Sequence, residues 1–221
     1  MPRHFEVELD LLRTNIIKMG SLVDEQIDFA IQSLVDSNVE MARIVIARDN
    51  RVDEFDNLID AQCERIFALS QPVAIDLRLI MSALKINNEL ERIGDIAVNI
   101  AERVEPLQQA SALVKKTKIT EMATQARQMV KQAIDSFVNN DPRLARSILV
   151  QDDTVDNLDK EIFHDLVAEM MRNKSKIEPA AHMMILSRHL ERLADHATNI
   201  AEDVIFLVDA KIIKHHAEDQ S

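Results

Sequence analysis

The sequence predicts an all-α fold of six long helices, arranged as two tandem antiparallel three-helix bundles related by pseudo-two-fold symmetry. Three observations carry that reading. Glycine appears 2 times and proline 5 times in 221 residues, too little turn chemistry for a sandwich or barrel of many short strands. Leu, Ile, Ala, Met, Glu and Arg, all good helix formers, dominate the chain. The apolar residues recur at steps of four and three, the helical period.

The breaks come at regular intervals. Ser37-Asn38, Ser70-Gln71-Pro72, Glu105-Pro106, Asn140-Asp141-Pro142 and Glu178-Pro179 are the strongest interruptions. Asp141-Pro142 reads as an N-cap followed by proline at the first helical position. Between breaks the segments are helical by period. In the second, Val45, Val52, Phe55, Ile59, Ile66 and Leu69 share a face. In the third, Leu79, Ala83, Ile86, Leu90, Ile93, Ala97, Ile100 and Val104 form an unbroken heptad-type seam. The sixth repeats it with Met183, Leu186, Leu190, Leu193, Ala197, Ile200, Val204 and Leu207. These seams are expected to be bundle core.

The halves of the chain repeat each other. Residues Glu91 to Glu102 match Glu191 to Glu202 at eight of twelve positions. Upstream, Asp49, Val52, Asp53 and Asp56 parallel Asp152, Val155, Asp156 and Asp159. The expected units are 1–108 and 109–221, joined around Leu107–Lys116.

Packing explains repeated apolar residues, but not repeated Glu, Asp and Asn. At about 100° per residue, Glu91, Asp95, Asn99 and Glu102 fall in an arc of roughly 80°, centred roughly 165° from their own seam. The expectation is a polar row pointing away from its bundle core, copied by Glu191, Asp195, Asn199 and Glu202. Asp49, Asp53, Asp56 and Asp60 flank the seam of the second segment, and Asp152, Asp156 and Asp159 copy the first three. Like charges at i,i+4 cost a few tenths of a kcal/mol per pair, so something must offset them. Hard oxygen ligands in this pattern suit a divalent or trivalent cation such as Mg, Ca, Mn or iron. The candidate ligands are Asp49, Asp53, Glu91 and Asp95, and in the copy Asp152, Asp156, Glu191 and Asp195. Asn99 and Asn199 are further carbonyl-oxygen candidates. The rows can pair within a bundle, between bundles or across a subunit boundary; a solvated acidic face with Arg92 and Arg192 as counter-charges is the plain alternative.

Composition narrows the function classes. The net charge is −12, which repels DNA phosphates and anionic lipid and favours cations or basic protein patches. Trp and Tyr are absent, which leaves no aromatic platform for single-stranded nucleic acid beyond 7 Phe. One cysteine, Cys63, gives no disulfide framework, and its place near a helical seam reads as core. No apolar signal core or membrane span is visible, so a cytoplasmic protein without direct membrane insertion is expected.

The paired Glu-Arg-x-x-Asp stretches at Glu91 and Glu191 give the chain its resemblance to the PhoU family of phosphate-transport regulators, which carries two Glu/Asp-x-x-x-Asp motifs in tandem three-helix bundles. Glu91/Asp95 and Glu191/Asp195 fill those motifs. Met19-Gly20, Gln71-Pro72 with Asp76-Leu77-Arg78, and Val204-Ile205-Phe206 also resemble family features. Ala194 departs from Gly94 of the first copy. The resemblance implies a non-enzymatic cytoplasmic regulator that restrains phosphate uptake and the phosphate-starvation response. It would do so by contacting the ATPase subunit of the phosphate ABC transporter and its sensor histidine kinase. It also implies metal ions at the motif carboxylates, including multinuclear iron or zinc, and a homodimer.

Two rivals remain. A helical di-iron carboxylate oxidase would use paired Glu-x-x-His motifs facing the core; Glu161-Ile162-Phe163-His164 is a single match. A metal-free scaffold is compatible with the repeat alone. His182, His189 and His196, spaced by seven, are candidate extra ligands beside Asp195 or partly exposed polar positions. His215-His216 carry no assigned role.

Overall fold

The computed structural model describes residues 4–212. Among them no strand occurs, and the helices are α1 (His4–Val35), α2 (Val39–Arg48), α3 (Asn50–Leu69), α4 (Ala74–Glu102), α5 (Val104–Leu107), α6 (Ser111–Lys116), α7 (Ile119–Asn139), α8 (Pro142–Arg172) and α9 (Ile177–Asp209). The pair α2–α3 acts as one long element with a break, so six long helical elements result. The second unit needs no such break, because α8 runs continuously through the matching residues.

The chain ends its helices where its turn chemistry predicts. Asn140 takes φ 50° and caps α7, and Ser37 takes φ 52° after α1. Asp141 then accepts from the backbone N–H groups of Arg143 and Leu144, with Pro142 beginning α8. Pro179 falls differently from expectation: it lies in the first turn of α9, which starts at Ile177. The first turn has no intrahelical acceptor for its N–H groups, so proline there breaks nothing. The break inside the second segment falls at Asp49, where Val52 N–H donates to the Asp49 carbonyl at 2.8 Å, a tight turn. The connection around Leu107–Lys116 is not a loop. It folds into α5, a 3-10 turn and α6, burying Leu107, Ala110, Leu113 and Val114.

Each unit is a three-helix bundle, α1, α2–α3 and α4 in the first and α7, α8 and α9 in the second. The units meet through equivalent helices: α1 packs on α7 and α4 on α9. That is the arrangement a pseudo-two-fold axis produces. Gly20 permits the first contact, since a Cβ there would lie 3.0 Å from Ile134 Cγ2. Arg13 reaches across it to donate to the Phe137 carbonyl at 3.2 Å and to Asn140 Oδ1 at 2.5 Å, neutralising the end of α7. Arg127 pairs with Asp28 at 2.6 Å in the same seam. Between α4 and α9, Lys85 pairs with Asp203 at 2.7 Å.

The seams foreseen in the third and sixth segments are buried from Ala83 to Val104, the first residue of α5, and from Met183 to Leu207, while Leu79 at the start of the first is half-buried. The buried face of α4 is broader than its seam. Asn87 and Gly94 extend it toward α3 and Ser82 extends it toward α9, and Ile96 and Ala101 are buried beside the seam as well. A helix in the middle of two bundles is covered on more sides than a seam of one bundle requires.

Candidate carboxylate centres

Gly94 brings α3 and α4 together at the first motif: a Cβ on it would stand 3.2 Å from Val52 Cγ1. This close approach sets the α3 aspartates beside the α4 motif. Burial pushes the Asp49 carboxyl above the ordinary range, a hydrogen bond from Gln26 opposes it, and Asp53 and Asp95 add to the rise. Glu91 is raised by burial first and then by Asp95, with Asp56 and Asp53 adding to it and Arg92 opposing. Asp49, Asp53, Asp56, Glu91 and Asp95 thus share one field within the first bundle.

The copy does the same. Glu191 is raised to about 6, first by burial and then by Asp195, with Asp156 and Asp159 adding and Arg188 opposing at 2.5 Å. Its other oxygen, Oε2, is buried with no hydrogen-bond partner among the described residues. The acidic rows therefore pair within each bundle, α3 with α4 and α8 with α9.

The expectation that these rows point straight away from the core is corrected. Glu91 and Glu191 are half-buried at the edge of the α3/α4 and α8/α9 seams, whereas Asp95 and Asp195 are exposed. The reason is the broad buried face of α4 and its copy in α9, which pulls the near edge of the row into the groove. Asp53 is exposed, and Asp49, Asp152 and Asp156 are half-buried. Asn99 is half-buried one turn further along α4. Asn199 turns to the other unit, donating Nδ2 to Glu89 Oε2 at 3.1 Å.

The donor set is chemically suited to a hard cation: four or five carboxylates close together, of which Asp49, Glu91 and Glu191 are raised first by burial and then by their acidic neighbours, with an unpartnered buried oxygen in the second copy. Among the described residues no three His, Cys, Asp or Glu side chains stand in a closed ligand set.

Sequence reasoning left several residues out of the centres. Asp56 and Asp159 were visible in the repeated rows and stand in the field. Asn87 donates to Asp56 Oδ1 at 2.7 Å and Asp60 Oδ1 at 3.1 Å, and Ser187 donates to Asp159. The only available signal was that 87, 94 and 101 form a second heptad stripe beside the seam. Gln26, which donates to Asp49 Oδ1 at 3.2 Å, lies on α1 and carried no signal.

The remaining candidates resolve differently. His196 Nδ1 lies 2.6 Å from Glu89 Oε2 across the unit boundary. His189 is held below its usual range by burial and by Arg103 and Arg192. His182 is half-buried, and His215-His216 lie outside the described residues. Glu161 and His164 are exposed rather than turned to the core, and Glu161 pairs with Lys118 at 2.6 Å. Cys63 is fully buried, and burial pushes its thiol to about 12, so it is an inert core group.

Two three-helix units meeting through equivalent helices, each with a carboxylate centre on its outer seam, define a duplicated helical-bundle protein with paired acidic motifs. The chain belongs to the PhoU family: the PhoU domain matches residues 16–104 and again 119–204. It is 40% identical over 94% of its length to the phosphate-specific transport system accessory protein PhoU homolog of Aquifex aeolicus, covering 94% of that protein. With the homolog of Pseudomonas aeruginosa it shares 36% identity over 96% of its length and 88% of the relative. The crystal structure of PhoU from Pseudomonas aeruginosa superposes with a TM-score of 0.88 at 36% identity, covering 94% of this chain and 100% of that one. The phosphate transport system regulatory protein PhoU from Streptococcus pneumoniae gives 0.85 at 25% identity, covering 96% and 100%. No described helix is long and apolar enough to cross a membrane.

Proposed function

We propose that this protein is a cytoplasmic, non-enzymatic negative regulator of phosphate uptake and of phosphate-starvation signalling. It acts by contact with the ATPase subunit of the phosphate transporter and with a sensor histidine kinase, and it works as a homodimer. The observation that carries the reading is the match of both units to the PhoU domain, with the paired motifs at Glu91/Asp95 and Glu191/Asp195. Relatives that the chain covers over most of their length are phosphate-specific transport accessory proteins. The net charge of −12 favours basic protein surfaces over nucleic acid as partners.

Asp49, Asp53, Glu91 and Asp95 would hold metal in the first centre, and Asp152, Asp156, Glu191 and Asp195 in the second. The ion, whether Fe, Zn, Mn or Mg, would supply positive charge to carboxylates that otherwise repel one another. Asn99 extends the first set; Asn199 would have to leave Glu89 to extend the second.

The test is complementation. In a bacterial strain lacking its own PhoU homolog, this protein should restore repression of phosphate uptake and of a phosphate-starvation reporter in phosphate-rich medium. Unrestored uptake and reporter activity, with the protein folded and abundant, would overturn the reading.

A further inference from the structure

The two carboxylate centres differ at their inner ends. In the first unit, Asn87 closes the α3/α4 groove by donating to Asp56 Oδ1 and Asp60 Oδ1. In the second unit the matching positions hold Ser187 for Asn87 and Phe163 for Asp60. There the polar closure shrinks to one hydrogen bond, from Ser187 to Asp159, and an apolar groove of about 240 Å³ lies beside it between α8 and α9. Its walls are Ile162, Phe163, Leu166 and Met184, with Asp159, Ser187 and Arg188 at the carboxylate end. Phe163 is 51% exposed. Toward the far end of the same two helices, Met171 at 83% and Ile177 at 48% are also exposed.

Phe163 presents an aromatic face at a position that is aspartate in the sister unit, with an edge contact to His164, and with Ile162, Leu166 and Met184 it makes a continuous apolar wall. Methionine beside it gives a wall that adapts to a partner side chain. Next to this groove Asp156, Asp159, Glu191 and Asp195 act on one another, and the single cation among them, Arg188, pairs with Glu191, so the end is net negative. Apolar wall and negative end together specify the occupant's chemistry.

We propose that the α8/α9 groove, and not its α3/α4 counterpart, docks an amphipathic helix of a partner protein, with a leucine or phenylalanine anchored against Phe163 and Met184 and a lysine or arginine about one turn away over the Asp156/Asp159/Glu191 end. Helix-in-groove recognition reads anchors at i and i+3 or i+4, the spacing this short groove and its acidic end supply. The proposal refines the partner-contact reading above and rests on it for its biological meaning. A cation bound at the second centre would compete with the partner's basic residue.

The probe is a fluorescein-labelled 16-residue helix of leucine and lysine with its leucines on one face, followed by anisotropy. The wild-type protein should bind it, more weakly as salt rises, and a leucine–glutamate helix of the same pattern should not bind. Phe163→Asp, which installs the residue of the first unit on an exposed site, should weaken binding at least tenfold with the same helical content and unfolding midpoint. Asp60→Phe should leave binding unchanged. Should Phe163→Asp misfold, a photoreactive benzoylphenylalanine at position 163 should cross-link the probe in place of the variant. Equal affinity for Phe163→Asp and wild type, or no cross-link at 163, overturns the proposal. The complementation strain separates the two readings: failure of the wild-type protein sinks the regulatory reading, whereas the peptide result alone decides the groove.

Discussion

Glu89 of the first unit and His196 of the second stand 2.6 Å apart, and Asn199 donates to the same Glu89 oxygen at 3.1 Å. Both units' motif helices therefore grip each other beside the residues that build the carboxylate centres. Glu89→Ala should cost about 1 kcal/mol, the usual net worth of a half-buried polar contact of this kind. Urea unfolding checks it. Because the contact joins the units, the loss should appear with His196→Ala as well, and the double variant should cost less than the sum.

Mild acid should stabilise the second centre. Glu191 is raised in the native state from 4.5 to about 6. The folded protein therefore binds more protons than the unfolded chain between these values, so stability falls as pH rises through that window and the penalty is full above it. Water screening at this seam leaves an effect of about 1 kcal/mol. Asp49, Asp56 and Glu91 shift in the same direction. Denaturant midpoints at pH 4.5 and 7 should differ for wild type, and the difference should shrink in Glu191→Gln.

A cation that binds the native centres but not the unfolded chain adds stability as RT ln(1 + [L]/Kd), about 2.7 kcal/mol at a hundredfold excess over Kd. Thermal unfolding with Mn, Zn, Fe and Mg should show a raised midpoint for at least one of them. Glu91→Gln/Asp95→Asn should lose part of that shift, and the corresponding Glu191/Asp195 changes the rest. A wild-type midpoint that no metal moves would leave the motifs as a protein-contact surface or a solvated acidic face.

Gly94→Ala should destabilise by about 1 kcal/mol, because overpacking a tight contact outweighs the helix-propensity gain of a similar size. The new Cβ would lie 3.2 Å from Val52 Cγ1, and Val52 is fully buried and stiff at χ1. Val52→Ala should relieve the clash, so the double variant should be more stable than the two single losses predict. Additive losses would show that α3 and α4 can separate freely here.

The sequence alone determined the helices, the duplication and the motif pairs. A period of four and three, interrupted at Asn140-Asp141-Pro142, is local chemistry and needs no knowledge of neighbours. The repeated Glu91/Asp95 and Glu191/Asp195 were visible for the same reason, as was the burial of Cys63 beside a seam. The tertiary structure decided which faces those helices share. It broke the second segment at Asp49, drew Glu91 and Glu191 into the seams, turned Asn199 to Glu89, and opened the groove at Phe163. Each of these depends on how far apart two helices stand and what the second one presents, and helix-to-helix distance is set by side chains such as Gly94 and Val52 meeting across the gap. A periodic pattern states which side of a helix is apolar, but only packing against α3 and α9 fixes how wide the buried face becomes.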